Sequence, residues 1–160
     1  MYQRILVPLE NSGADRTILE HVTRLAKLCG AKVLVMHVAD GFAARNQRSL
    51  NLRESEEMRR DREYLEQICD TLDGTGLDAD ALLACGDPSL EIAAAAEREG
   101  CDLIAMATHG HRFLADVVYG SVANDVRHRS RVPVLLVRTS APARSAPPPP
   151  PAAPPGALAP

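Results

Sequence analysis

The chain has 160 residues, 46% of them apolar, which is enough for one soluble domain with a sizeable core. Its formal charge of −3 and its lack of a basic stripe argue against nucleic acid or an anionic membrane as the main partner. No apolar run approaches the roughly 18 residues of a membrane span, and the amino terminus shows no signal sequence. A cytoplasmic protein is expected, with four cysteines that lack metal-ligand spacing and serve as reduced core residues.

Strands and helices alternate in the first half of the chain. Arg4 to Pro8 is a short apolar run typical of a strand buried on both faces, and the helical spacing that follows predicts a helix ending at Gly30. Lys32 to Val38 repeats the strand pattern. Asn51 to Leu72 predicts a long surface helix, because its apolar residues share one face while opposite charges lie four residues apart.

The same alternation continues in the second half. Leu77 to Cys85 predicts a third strand, and Asp87-Pro88 predicts the start of a helix. Leu103 to Met106 predicts a fourth strand and Val132 to Val137 a fifth, with a helix from about Ser121 to His128 between them. Five apolar strands separated by helices predict an α/β fold, a doubly wound five-stranded parallel sheet with helices on both faces.

The end of the chain differs in composition from the rest. Nine of the twelve prolines follow Ser140, in a segment of little else than proline and alanine. Such a segment has too few apolar side chains to offset the entropy of ordering it. A folded domain is therefore predicted for residues 1–140 and a disordered Pro/Ala-rich tail for residues 141–160.

A glycine-punctuated loop is predicted between the fourth strand and the last helix. Ala107-Thr108-His109-Gly110 is followed, after nine residues, by Gly120-Ser121. Bare amides at a helix N-terminus suit a phosphate chain, so the N–H groups of Gly120, Ser121 and Val122 are expected to face one. The Ser121 hydroxyl either joins them or caps the helix.

A ligand crevice is predicted from the strand order. If strands one and four are neighbours, they flank the point at which strand order reverses, where ligands bind in such sheets. The loop from Pro8 to Ser12 then faces the loop that begins at Ala107, with the end of strand two at Val38 beside them. Glu10 is a carboxylate at a strand's carboxyl end, suited to accept hydrogen bonds from ribose hydroxyls.

These segments resemble the universal stress protein family, whose nucleotide signature is Gly, two residues, Gly, nine residues, Gly-Ser/Thr. The later elements stand here as Gly110, Gly120 and Ser121, and the opening ILVPLENS is similar to the family's usual ILVPxDGS. The resemblance covers Met1 to Arg138. Three positions depart from the pattern: Ala107 replaces the first signature glycine, Glu10 replaces an aspartate and Asn11 replaces a glycine.

The resemblance implies a Rossmann-like fold of the adenine nucleotide alpha hydrolase-like type. It also implies an ATP-binding, homodimeric stress-response regulator, with the ATP accompanied by Mg or Mn. The nucleotide contacts that it carries over are Pro8, Leu9 and Glu10 along the nucleoside, the Val38 backbone at adenine, Met106 and Ala107 flanking it, and Gly110, Gly120, Ser121 and Val122 at the phosphates.

Two other functions remain open from the sequence. A family member with an empty crevice would act as a protein-interaction module, because Ala107 adds a methyl group where the signature has glycine. A slow ATP hydrolase or a nucleotidyl-transfer enzyme is the other alternative. The chain has two lysines and no Walker loop, and His109-Gly110-His111 lacks a third metal ligand, so no catalytic residue and no metal ligand is predicted.

A homodimer is predicted through the last strand. Val132 to Val137 is apolar on both faces and is expected at a sheet edge, where unpaired backbone groups invite a second chain. Pro133 is compatible with such an edge. The family resemblance implies the same assembly.

Overall fold

The computed structural model describes residues 1–39, 56–109 and 121–139, which form five strands and four helices. The strands are β1 (Arg4–Pro8), β2 (Lys32–Ala39), β3 (Ala79–Cys85), β4 (Leu103–His109) and β5 (Val134–Thr139). The helices are α1 (Asp15–Cys29), α2 (Glu56–Gly74), α3 (Pro88–Arg98) and α4 (Ser121–Arg129). The proposed tail and the signature glycines Gly110 and Gly120 lie outside the described residues.

The five strands form one parallel sheet in the order β3-β2-β1-β4-β5. The doubly wound sheet predicted from the sequence is therefore confirmed. β1 lies at the centre, and its residues Ile5, Leu6 and Val7 are fully buried, as the unbroken apolar run requires. The chain leaves β1 toward β2 on one side and later returns to β4 on the other, so the strand order reverses between β1 and β4.

Two apolar layers enclose the sheet. On one face Ile18 of α1 and Leu65 of α2 pack with the alternate side chains of β1 and β2. On the other face Ile92 of α3 and Val126 of α4 pack against Leu6 and its neighbours. Each helix buries a stripe of apolar side chains and exposes its polar face. This is why the apolar residues of each helix recur at helical spacing in the sequence.

Helix ends follow local chemistry. α1 ends at Gly30, whose φ of 67° lies in the left-handed region that glycine adopts at little cost. The carboxylate of Asp87 accepts a hydrogen bond from the Leu90 amide at 3.1 Å and caps α3, with Pro88 at the first helical position. The Ser89 hydroxyl also donates to Asp87, and these bonds lower the pKa of the Asp87 carboxyl below its ordinary value.

Several predicted boundaries were wrong, and backbone chemistry explains three of them. β4 runs on to His109 instead of ending at Met106, because Ala107 to His109 continue to pair with β5. β5 begins at Val134 rather than Val132, after Pro133, which has no N–H to donate to the sheet. β3 begins at Ala79, because the Leu77 amide still donates to the carbonyl of Leu72 at the end of α2.

Candidate functional site

The pairing between β1 and β4 stops short of the carboxyl edge of the sheet, and we call this unpaired stretch the opening. The β1–β4 ladder is confined to Ile5↔Leu103 and Leu6↔Ile104, although β1 stays paired with β2 as far as Pro8. β4 likewise stays paired with β5 as far as His109. The pairing of β1 with β4 confirms that strands one and four are neighbours, as predicted, and their ladder ends before the carboxyl end of either strand.

The chain leaving β1 is held close to β2. The Leu9 amide donates to the carbonyl of Met36 at 2.8 Å, and Nδ1 of His37 lies 2.8 Å from the Leu9 carbonyl oxygen. The side chain of Leu9 is buried in the core. Leu9 is thus anchored by its side chain and both of its backbone polar groups, and Glu10, which is exposed, is the first residue beyond β1 whose side chain is free to face the opening.

Asp15, the first residue of α1, organises the turn that follows Glu10. Its carboxylate accepts hydrogen bonds from the amide of Glu10 at 3.1 Å, the amide of Ser12 at 2.9 Å and the phenol of Tyr64 at 2.8 Å. Burial and the Asp15 charge raise the pKa of Tyr64 above its ordinary value. The backbone amides of this turn therefore bind a carboxylate of the protein itself.

Two of the three departures from the family pattern are explained by backbone conformation. Asn11 has a φ of 55°, in the left-handed region, and asparagine is the kind of non-glycine residue that tolerates it. Among the described residues Asn11 alone combines a positive φ with a side chain, so Ala107, within β4, has a negative φ. The methyl group of Ala107 therefore causes no backbone strain.

A second polar link joins α2 to this edge of the sheet. Asp61 is 8% exposed, and its carboxylate lies 3.5 Å from Nε2 of His37. Sequence reasoning missed both residues, although signals were present. Asp61 interrupts the apolar stripe formed by Met58 and Leu65, and His37 interrupts an otherwise apolar strand. A polar residue at a core position is a signal of a buried hydrogen-bonding partner.

The first turn of α4 differs electrostatically from those of the other described helices. It carries no acidic residue, whereas α1 begins with Asp15, α2 with Glu56 and Glu57, and α3 has Glu91. α4 runs antiparallel to β4 and β5, so its N-terminus lies at the carboxyl edge of the sheet. The helix begins at Ser121, and its first-turn amides lack partners within the helix, so this end has a positive potential that no acidic residue of its own first turn offsets.

The predicted site residues fall on both faces of the sheet. Gly110 and Gly120 lie outside the described residues, and the backbone of Ser121 begins α4. Pro8 is half-buried and ends β1. Leu9 and Ala107 pack in the layer beneath α1 and α2, while Val38, Met106 and Val122 pack in the layer beneath α3 and α4.

Neither a metal cluster nor a membrane-crossing helix is found in the part of the chain that the structure describes. Over residues 1–39, 56–109 and 121–139, no three His, Cys, Asp or Glu side chains are grouped to hold a metal ion. Over the same ranges no helix has both the length and the apolarity to cross a membrane.

The fold defines a doubly wound α/β protein whose strand order reverses between β1 and β4. Residues 1–138 match the model of the universal stress protein family, and the chain belongs to that family. Universal stress protein MJ0577 of Methanocaldococcus jannaschii is 30% identical over 158 residues, which cover 86% of this chain and 96% of the relative. A solved structure of MJ0577 matches with a TM-score of 0.74, at 30% identity, over 88% of this chain and 99% of that one.

Two further solved structures share the fold. A universal stress protein in complex with cAMP has a TM-score of 0.65 at 21% identity, over 87% of this chain and 98% of that one. A universal stress protein from Archaeoglobus fulgidus in complex with dAMP has a TM-score of 0.63 at 22% identity, over 84% of this chain and 97% of that one.

Proposed function

We propose that the chain is a nucleotide-binding stress-response protein that holds ATP in the crevice between β1 and β4. The observation that carries the proposal is that the β1–β4 ladder ends early, with the exposed Glu10 following β1 and a helix whose first turn has no acidic residue, α4, following β4. We assign these two features to opposite sides of the opening. A nucleoside triphosphate has hydroxyls that suit a carboxylate and phosphates that suit bare helix amides.

The electrostatics of the two helices orient the nucleotide. α1 and α4 both begin at the crevice edge, but the first turn of α1 contains the buried carboxylate of Asp15, which already occupies the amides of Glu10 and Ser12. A phosphate there would meet the negative charge of Asp15 and two amides that already donate to it. The phosphates are therefore assigned to the amides at Ser121 and Val122, and the sugar to Glu10.

The remaining contacts follow from the same placement. Val38 and Met106 lie in the layer beside the crevice. We assign the Val38 backbone to adenine. Pro8 and Ala107 then border the nucleoside. Leu9 contributes as the anchor of the loop. Gly110 and Gly120 complete the phosphate site, as the family signature implies. Mg or Mn, if bound together with the nucleotide, would neutralise part of the phosphate charge. The described residues group no three His, Cys, Asp or Glu side chains to hold a metal ion, so the nucleotide itself would carry it.

The comparisons support an adenine nucleotide as the ligand. The solved structures that share this fold include complexes with cAMP and dAMP, both of which carry adenine, a sugar and phosphate. The negative φ of Ala107 removes the objection from backbone strain that its replacement of a glycine raised. A cytoplasmic location is part of the proposal, as expected from the sequence.

Thermal unfolding with and without ligand tests the proposal. ATP-Mg at a hundred times its Kd is expected to stabilise the folded state by about 2.7 kcal/mol, and GTP-Mg by less. Glu10→Ala should lose most of the ATP-dependent rise in Tm. Glu97→Ala is the matched control, because Glu97 is an exposed glutamate in the last turn of α3, at the opposite edge of the sheet. An ATP scan identical to the scan without ligand would leave the interaction-module alternative.

A homodimer is part of the proposed function. Among the strands of residues 1–39, 56–109 and 121–139, β5 lies at the edge of the sheet and pairs with β4, and Leu136 on it is 44% exposed. A second copy that pairs along this edge would satisfy the free backbone groups and cover Leu136. The predicted interface therefore shifts from Val132 to Val137 onto the strand as it stands, Val134–Thr139.

The domain boundary is likewise proposed at residue 140. The last described strand ends at Thr139, and the family match ends at residue 138. Both observations support a folded domain over residues 1–140. Residues 141–160 then form an appended Pro/Ala-rich tail, as their composition predicts.

A further inference from the structure

The turn that carries Glu10 takes its shape from Asp15. This carboxylate is 4% exposed, and two of its three hydrogen-bond donors are the amides of Glu10 and Ser12. A buried carboxylate needs hydrogen-bond donors, because without them nothing compensates the free energy of hydration that it loses on burial. The turn and the carboxylate therefore hold each other in place. The third donor, the Tyr64 phenol, comes from a different part of the chain.

Helix α2 reaches the Glu10 turn by two routes. Asp61 and Tyr64 are three residues apart, so they project from the same face of the helix. Tyr64 acts on the turn through Asp15, and Asp61 reaches Leu9 through the imidazole of His37. Both ends of the short segment from Leu9 to Ser12 are thus connected to one helix face.

We propose that Tyr64 and Asp15 are positioning residues of the nucleotide site. They hold the turn so that the Glu10 carboxylate faces the sugar, and neither needs to touch the ligand. The inference rests on the proposed function, since it concerns how Glu10 is presented to a nucleotide. It also makes α2 the element that sets the affinity of the crevice, although α2 packs over β2 and β3 rather than over β4.

Removal of one hydroxyl tests this role. Tyr64→Phe keeps the ring and deletes the donor to Asp15. Thr71→Val is the matched control, because it removes a hydroxyl from the same helix and the same groove between α1 and α2. The Thr71 hydroxyl donates to the carbonyl of Gln67 within α2 itself. Tyr64→Phe is expected to weaken ATP binding about tenfold, the scale of a hydrogen bond to a charged group, and Thr71→Val to leave it unchanged.

A double-mutant cycle separates positioning from a general effect on stability. If Tyr64 acts through Glu10, then adding Tyr64→Phe to Glu10→Ala changes ATP affinity by less than about twofold, because the group that was being positioned is gone. A full tenfold loss in that background would overturn the proposal. So would an unchanged affinity of Tyr64→Phe alone, since a purely structural contact lowers Tm without moving the Kd.

Amide hydrogen exchange without nucleotide provides an independent readout. The amides of Glu10 and Ser12 should exchange faster in Tyr64→Phe than in Thr71→Val, because the carboxylate that holds them is less restrained. Equal protection in the two variants contradicts the positioning role while leaving ATP binding intact. Failure of the unmodified protein to bind ATP contradicts the proposed function, and the inference falls with it.

Discussion

Nδ1 of His37 lies 2.8 Å from the carbonyl oxygen of Leu9, so the carboxyl end of β2 is hydrogen-bonded to the chain that leaves β1. A carbonyl only accepts, hence Nδ1 carries the proton and donates. The other ring nitrogen faces the carboxylate of Asp61 at 3.5 Å. This polar link lies on the face of the sheet that α1 and α2 cover, where the side chain of Leu9 also packs.

His37→Phe is expected to destabilise the fold by about 1–3 kcal/mol, because it leaves the buried Asp61 carboxylate and the Leu9 carbonyl without their partner. Urea denaturation with a constant m-value measures this change. Adding Asp61→Leu should recover part of the loss, since the unpaired buried carboxylate is then gone. A His37→Phe protein that is as stable as the unmodified one would show that the link contributes nothing.

Asn11 provides a test of backbone strain in the same segment. Its φ of 55° predicts that Asn11→Ala costs about 1 kcal/mol, because alanine adopts the left-handed region reluctantly, while Asn11→Gly is neutral or stabilising. Gly13→Ala is the control: Gly13 has no positive φ, and an added Cβ would meet no atom within 4 Å. Equal unfolding free energies for Asn11→Ala and Asn11→Gly would contradict this account.

The order of strands and helices was predictable from the sequence, but the backbone conformations of Asn11 and Ala107 were not. The strand and helix order was readable because each strand is a buried apolar run and each helix has one apolar stripe. The conformation at Asn11 was not readable, since φ depends on how the turn closes around Asp15. The strand conformation of Ala107 was also missed, because pairing with β5 is a long-range contact that a local glycine pattern does not reveal.

The exposed edge of β5 predicts that a charged side chain introduced there prevents dimer formation. Leu136→Asp is expected to yield a monomer at micromolar concentration by light scattering, because a buried unpaired carboxylate at the centre of the interface is costly. Leu28→Asp is the control, since Leu28 lies on α1 and is 86% exposed. Retention of a dimer by Leu136→Asp, or a monomeric unmodified protein, would exclude this interface.

Tyr64 predicts a loss of stability at alkaline pH. Its pKa is raised in the folded state, so the folded protein keeps a proton that the unfolded chain releases once the pH exceeds the ordinary value of 10.0. The contribution is fully present below pH 10.0 and declines as the pH rises further. The difference in unfolding free energy between the unmodified protein and Tyr64→Phe should therefore shrink above that pH. A difference that is constant across this range would contradict the buried, Asp15-bonded phenol.

The position of the candidate site was predictable from the sequence, but the residues that hold the Glu10 loop were not. The position of Glu10 follows from the end of β1 and the strand order, both of which are encoded by apolar pattern. The roles of Asp15, His37, Asp61 and Tyr64 depend on side chains from α1, β2 and α2 meeting behind the loop. Such meetings are tertiary contacts, and the sequence showed them only as polar residues at positions where apolar ones were expected.

The decisive measurement is calorimetric titration of ATP-Mg into the unmodified protein and into Glu10→Ala. We expect binding of micromolar strength for the unmodified protein and a loss of about tenfold or more for Glu10→Ala, because the sugar loses its hydrogen bonds to the carboxylate. Glu97→Ala should titrate like the unmodified protein. Absence of binding by the unmodified protein, or an equal Kd for Glu10→Ala, would contradict an adenine nucleotide held between Glu10 and the N-terminus of α4.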